Sequence, residues 1–335
     1  MAYILLLIGM ALLIKGADLF VDGSASIAYK FHIPTFIVGL TIVALGTSLP
    51  ELSVSVTATL SGSNELALSN VIGSNIFNTL VVVGCSALIR PFVIERRIVK
   101  RDLLWNIFIT FVLLLDVFNR QLSWVNGLVF LVLLACYIAT LIKSTKQHQT
   151  KQNGSEDEEK IMTVPKSLVF ICIGVAGIIC GGNLVVDNAT WIAQAWGMSE
   201  TLVGLTIVSV GTSLPELVTS MVAAKKGESG LSLGNAIGSN IMNIAFILGI
   251  ASLSHPISVT MCNLIDICIL CMIALLLYFM TMRSDKMSRA RRHDGHPVHC
   301  LCRLYHLSMK QKDLPAQALF IMYPCGGAPA AGAED

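Results

Sequence analysis

Apolar positions run through this chain in long blocks, at about 3–22, 36–60, 65–89, 102–119, 122–143, 167–192, 201–223, 230–253 and 259–281. An α-helix needs roughly 18 to 20 such residues to cross about 30 Å of hydrocarbon. In lipid, every backbone polar group must be paired within the segment, so runs of this kind fold as helices. The pattern therefore predicts nine spanning helices and an all-α polytopic membrane protein. The first block has no cation before Lys15 and no clean small-residue cleavage site, so it reads as a retained helix rather than a signal peptide.

Polar residues interrupt these blocks in a repeated way. Gly39-LTIVALGTSLPE-Leu52 returns as Gly204-LTIVSVGTSLPE-Leu217, and Asn70-VIGSNIF-Asn78 returns as Asn235-AIGSNIM-Asn243, both at an offset of 165 residues. Gly16, Leu19, Val21, Asp22, Ala28, Gly84 and Pro91 match Gly181, Leu184, Val186, Asp187, Ala193, Gly249 and Pro256 at the same offset. A generic apolar composition does not produce an ungapped repeat of about 76 residues. One polar, proline-containing device has been built twice, and internal repeats of this kind place their shared site at the interface between them.

Charge orders the helices across the bilayer. Lysine and arginine gather around Lys30, in 90–101, in 143–166, at Lys225 and Lys226, and after 282. The alternate connections near 61–65, 194–200 and 254–258 carry none, and 119–121 carries only Arg120. The positive-inside rule then places the N-terminus outside and the basic connections in the cytoplasm. Five crossings separate the two motifs, so the repeats are inverted. The polar, mixed-charge segment 145–164 reads as a flexible cytoplasmic linker. It divides a first membrane repeat, 1–144 with its motif at 39–78, from a second, 165–282 with its motif at 204–243. Residues 283–335 form an atypical polar tail.

Composition narrows the function classes. The chain is 54% hydrophobic and 13% charged, against roughly 25% charged in soluble domains, and its net charge of +2 gives no reason to expect nucleic acid. Seven of the ten cysteines lie in or beside apolar segments, where cysteine acts as a small hydrophobe. Cys268 and Cys271 have the spacing of a metal or redox pair, but an apolar helix around them favours packing. No GxxxxGK[ST] phosphate loop is present, so ATP is not an expected partner.

The candidate chemistry lies in the repeat. Glu51 and Glu216 sit inside apolar segments, where a carboxylate costs roughly 2.5–3.5 kcal/mol on the insertion scale. Neither segment offers a Lys or Arg to pair with, so the cation is expected from outside. Pro50 and Pro215 precede the acids; proline lacks the N–H that the carbonyl one turn back would accept, which frees oxygens near Gly46 and Gly211. Thr47, Ser48, Thr212 and Ser213 add hydroxyls and carbonyls. Ser74 and Asn78, like Ser239 and Asn243, stand four residues apart and share a helix face. Gly73 and Gly238 are small enough to let another helix approach. Asn75 and Asn240 suit hydrogen bonding between helices. An oxygen-only set without Cys or His fits a hard cation such as Ca²⁺, which takes six to eight oxygens at about 2.3–2.6 Å, better than Zn²⁺ or Cu⁺.

GLTIVALGTSLPEL with GSNIFN, duplicated, resembles the paired repeats of the Na⁺/Ca²⁺ exchanger (cation/Ca²⁺ antiporter) superfamily, most of all its compact bacterial inner-membrane branch. The resemblance covers roughly residues 2–282. It implies ten helices in two inverted five-helix repeats, with ions bound between the second, third, seventh and eighth. By motif, Glu51 and Glu216 correspond to central Ca²⁺ ligands, and Thr47 and Thr212 to carbonyl donors. Ser48, Ser213, Ser74 and Ser239 match Na⁺-coordinating positions, Ala44 and Ser209 neighbouring backbone oxygens, and Asn78 and Asn243 the middle site. The implied function is secondary antiport of Ca²⁺ against Na⁺ or H⁺ across the inner membrane, without a bound cofactor. A K⁺-linked or cation/H⁺ exchanger of the same fold is the alternative.

Two features depart from the pattern. Some exchangers carry Asp at one middle position, whereas this chain has Asn at both, leaving a central charge of about −2. No apolar run follows 259–281 to make a tenth helix; the chain continues as RARRHDGHPVHCLCRLYHLSMKQKDLPAQ. His293, His296, His299, Cys300, Cys302 and His306 could suggest a metal-binding tail. A frameshift explains the segment better: read one nucleotide later, its codons permit apolar residues, and Met309-Lys310 must contain a stop. An intramembrane two-acid protease would want paired Asp and has no use for twofold hydroxyl motifs. A non-transporting receptor or channel is a lesser alternative, which a linear, non-saturating flux would favour; an enzyme is not the expected reading.

Overall fold

The structure, a computed structural model, describes residues 1–90, 96–149, 161–199, 207 and 209–291. The first repeat comprises α1 (Ala2–Lys30), α2 (Thr35–Thr47), α3 (Leu49–Leu60), α4 (Glu65–Ile89), α5 (Arg96–Asp116) and α6 (Trp124–Gln149). The second comprises α7 (Val164–Ala195), α8 (Ser209–Thr212), α9 (Leu214–Lys226), α10 (Ser229–Ser254) and α11 (Met261–Arg291). Seven of the described helices are long and apolar enough to span, and α2 with α3 makes an eighth that bends by 48°. The seventh expected block, 201–223, is described at 207 and from Ser209 onward, as α8 and α9.

The repeats are inverted. Helices α1 and α7 are equivalent at the 165-residue offset, and they pack antiparallel: Gly9 lies against Gly181 and Leu184, Gly16 against Gly174 and Ile178, and Gly23 against Ser167 and Ile171. A Cβ on Gly16 would stand 2.6 Å from the Ile178 backbone nitrogen. Only glycine allows that approach, because dispersion at close backbone contact replaces the missing side chain. Farther along the chain, a two-residue antiparallel ladder pairs Gln121 with Ser258 and Leu122 with Ile257. It ties the turn after α5 to the turn before α11.

Two expected boundaries move. Helix α6 continues to Gln149, into the segment read as linker, because its apolar face and the lysine-rich last turns both suit a helix end directed to water. Beyond residues 150–160, which lie outside the description, Met162 N–H donates to Ser26 Oγ at 2.8 Å and fastens the end of the linker to α1. Helix α11 likewise runs past the expected tail boundary to Arg291. The tail histidines and cysteines, and the proposed alternative reading frame, fall on residues 292–335, outside the described residues.

The ends of the molecule differ. At the end bearing Lys30, Lys226 on α9 donates to Asp22 at 2.6 Å and lies 2.7 Å from an Asp18 carboxylate oxygen, both on α1. Tyr29 donates to Glu228 at 2.6 Å beside them. The twofold counterparts of these residues are Ser61, Asp187, Asn183, Gln194 and Ser63, a set that cannot form the same ion pairs. Ala17, Val21, Ser24, Ala25 and Ala28 on α1 are buried, whereas Val186, Ala189 and Thr190 at matching places on α7 are half-buried. Gly182 and Ala193, matching Ala17 and Ala28, are buried; among the described residues the ion pairs of Lys226 cross-link the lysine-bearing end.

Candidate cation site

The site is assembled where the two helix breaks meet. Helix α2 ends at Thr47, Ser48 leaves helical geometry with φ −83° and ψ 8°, and α3 restarts at Leu49 with Pro50 in its first turn. Ser213 takes nearly the same geometry, φ −91° and ψ 3°, ahead of Pro215. The break therefore falls at the serine, two residues before each proline. Proline is well placed in a first helical turn, where its missing N–H has no partner to lose. Glu51 and Glu216 consequently occupy the N-terminal turns of α3 and α9, the positive ends of those helices.

Both carboxylates are fully buried. Each is held by the hydroxyls of the opposite repeat. Ser48 donates to Glu216 Oε1 at 2.9 Å, and Ser213 donates to Glu51 Oε1 at 3.2 Å. Ser239 adds a contact to Glu216 Oε1 at 3.4 Å, and the Ser74 hydroxyl lies 3.0 Å from that of Ser213. Among the described residues, Glu51 Oε2 and Glu216 Oε2 have no hydrogen-bond partner. Among the described residues no Lys or Arg forms an ion pair with either acid. Burying a charge without a partner is costly, and here the bare oxygens are those that an entering cation would meet.

The threonines beside these serines are tied across the same interface. Thr47 donates to Asn235 Oδ1 at 2.9 Å, and Thr212 to Asn70 Oδ1 at 3.4 Å. Asn235 in turn donates to Ser220 at 2.9 Å and to the Glu216 carbonyl at 3.3 Å; Asn70 does the same toward Ser55 at 3.0 Å and the Glu51 carbonyl at 3.5 Å. These two asparagines fix the backbone carrying the acids, and the sequence reading did not single them out. Their signal was available: Asn70, Ser55, Asn235 and Ser220 all repeat at 165. The Ala44 carbonyl accepts the Ser48 N–H at 3.0 Å, a helical bond that leaves one lone pair. Ser209 opens α8 at the matching place.

Asn78 and Asn243 each begin a π-helical stretch, Asn78–Val82 and Asn243–Leu248. Widened turns of this sort rotate side chains out of the α register and concentrate at functional sites. Both asparagines are buried; neither amide atom of Asn78 has a partner, and Asn243 Oδ1 has none. The pair expected to join helices does so: Asn75 donates to the Asn240 carbonyl at 3.1 Å. Gly238 also behaves as expected, since a Cβ there would lie 2.6 Å from the Leu40 carbonyl on α2. Among the described residues, nothing lies within 4 Å of a Cβ on Gly73.

Comparison with known proteins agrees with this arrangement. Residues 1–143 and 166–325 match the family described as sodium/calcium exchanger protein. The inner membrane protein YrbG of Escherichia coli (strain K12) is 36% identical over 262 residues, covering 76% of this chain and 81% of that protein. The putative antiporter CaxA of Alkalimonas amylolytica is 35% identical over 305 residues, covering 88% and 94%. Among solved structures, the sodium-calcium exchanger NCX_Mj superposes with a TM-score of 0.73 at 34% identity, over 84% of this chain and 90% of that one.

Proposed function

Because the chain belongs to the sodium/calcium exchanger protein family, we propose that it exchanges Na⁺ for Ca²⁺ across a bacterial inner membrane by alternating access. The observation that carries this reading is the pair of buried acids, Glu51 and Glu216, each oriented by a serine of the other repeat and each with one bare oxygen. Hydroxyls, amide oxygens and carbonyls around them supply the oxygen-rich shell that a hard cation requires. Thr47, Thr212, Ala44 and Ser209 contribute backbone oxygens, while Ser48, Ser213, Ser74, Ser239, Asn78 and Asn243 contribute side-chain oxygens.

The cation replaces its hydration shell at the midpoint of the membrane and is exposed to one side at a time. The N-terminus lies outside and the linker in the cytoplasm, so the cross-linked end faces the cytoplasm. Two carboxylates balance one Ca²⁺ or two Na⁺, which explains how competing loads share a single site. Uptake of ⁴⁵Ca²⁺ into proteoliposomes under imposed Na⁺, K⁺ or pH gradients tests the reading. A Na⁺ gradient should drive saturable Ca²⁺ accumulation. Accumulation driven only by a pH gradient would replace Na⁺ with H⁺, and linear, non-concentrating flux would replace the antiporter with a channel.

A further inference from the structure

The twofold symmetry of the site is broken beside Asn78. Thr79 follows Asn78, and its counterpart at the 165-residue offset is Ile244. The Thr79 hydroxyl donates to the Asn75 carbonyl at 2.8 Å. Having given its only hydrogen, its oxygen accepts, and the Asn240 amide donates to it at 2.8 Å. Asn240 Oδ1 is left buried without a partner.

The second repeat has a different outcome. The Asn240 carbonyl can only accept, so the Asn75 amide nitrogen must face it, as it does at 3.1 Å. That fixes Asn75 Oδ1 on the other side, where it accepts the Asn243 amide at 3.0 Å. Asn243 therefore has one orientation, nitrogen toward Asn75 and Oδ1 unbonded. The equivalent bond in the first repeat, from Asn78 to Asn240 Oδ1, is not made: both Asn78 amide atoms and Asn240 Oδ1 are partnerless.

We propose that Thr79 is a positioning residue that makes the two middle asparagines unequal, with Asn243 a locked carbonyl donor and Asn78 a rotatable one. By holding the Asn240 amide, Thr79 denies Asn78 the hydrogen bond that would fix it. Ca²⁺ accepts more oxygens than a smaller coordination shell demands and tolerates irregular geometry, so a rotatable amide is a ligand that can be recruited for one load and withdrawn for another. The inference rests on the cation site proposed above and assigns the residue that tunes it.

Thr79→Val keeps the shape and removes the hydroxyl. Asn240 is then free to turn its amide to the Asn75 carbonyl and its Oδ1 to Asn78, which locks Asn78 with its oxygen inward. Preorganising one ligand in this way should lower the half-saturating Ca²⁺ concentration by about threefold to tenfold, the range of one hydrogen bond. Thr79→Ser should restore wild-type behaviour. Ile244→Thr gives the second repeat the same hydroxyl and should shift Ca²⁺ the opposite way by freeing Asn243. The measurements are Ca²⁺ and Na⁺ half-saturation in proteoliposomes, together with Ca²⁺-dependent thermal stabilisation of the purified protein.

Half-saturation unchanged in Thr79→Val, or moved equally by Thr79→Val and Thr79→Ser, overturns the inference. If Thr79→Val does not fold, an unchanged Ile244→Thr protein overturns it equally. A wild-type protein that binds Ca²⁺ but shows no exchange under any gradient defeats the transport reading instead, and the thermal comparison still decides the role of Thr79.

Discussion

Ser48, at the helix break of the first repeat, donates its hydroxyl hydrogen to Glu216 of the second at 2.9 Å. The reciprocal bond, Ser213 to Glu51 at 3.2 Å, makes each acid the responsibility of the other half. Neither repeat holds a finished site, and the consequences for mutation follow from that division.

Replacing Glu51 or Glu216 by Gln should abolish Ca²⁺ exchange with membrane insertion intact. Each change removes half of the central negative charge and a carboxylate that Ca²⁺ can bind through both oxygens. The two variants should fail alike, because the site is shared. A folded Glu51→Gln protein exchanging at wild-type rate would remove the central claim.

Ser48→Ala and Ser213→Ala should each weaken Ca²⁺ binding by about tenfold or more, since a hydrogen bond to a charged group contributes roughly 1.5–3 kcal/mol. The two residues serve opposite acids around one ion, so the double variant should depart from additivity. Titration of Ca²⁺-dependent flux in the four proteins provides the cycle. Strict additivity would mean two independent sites rather than one.

Exchange should be insensitive to a valinomycin-clamped potential. Two carboxylates are neutralised equally by one Ca²⁺ or two Na⁺, so the loaded protein has the same charge in both directions. Moving one net charge across 100 mV is worth about 2.3 kcal/mol, close to fortyfold in the gradient sustained. A shift of that size would demand a third Na⁺ in the cycle.

Lys226→Gln removes the links to Asp18 and Asp22 at 2.7 and 2.6 Å. Partly exposed ion pairs contribute up to about 1 kcal/mol, so under the proposed alternating access the equilibrium should move about fivefold toward opening at that end. A cysteine introduced at the buried Ser24, in a background without the native cysteines, should then react faster with an impermeant thiol reagent applied from the side that bears Lys226. An unaltered rate would show that the ion pairs carry no part of the closure.

Much of the architecture is written in one dimension. Apolar run lengths fix the helices, and the 165-residue offset fixes the pairing of Glu51 with Glu216 and of Ser48 with Ser213. Proline announced the helix breaks, although not that they fall at Ser48 and Ser213, since a first-turn proline starts a helix more readily than it interrupts one. The π-helical turns at Asn78 and Asn243 left no trace in composition, because they depend on how neighbouring helices pack. Nor could spacing reveal that Asn70 and Asn235 reach across to Thr212 and Thr47. Thr79 is the opposite case: it drew no notice because it does not repeat, and its influence arises from that mismatch.

The crossed serine–glutamate bonds also constrain ancestry. A single repeat, as an independent chain, would own an acid without the serine that meets it from the other half. It could complete the site only by meeting a second copy inserted upside down, which requires a polypeptide with too weak a charge bias to choose one orientation. Fusion of two such copies would relieve that ambiguity, and Lys225 and Lys226, standing where the first repeat has Leu60 and Ser61, give the two halves different charge.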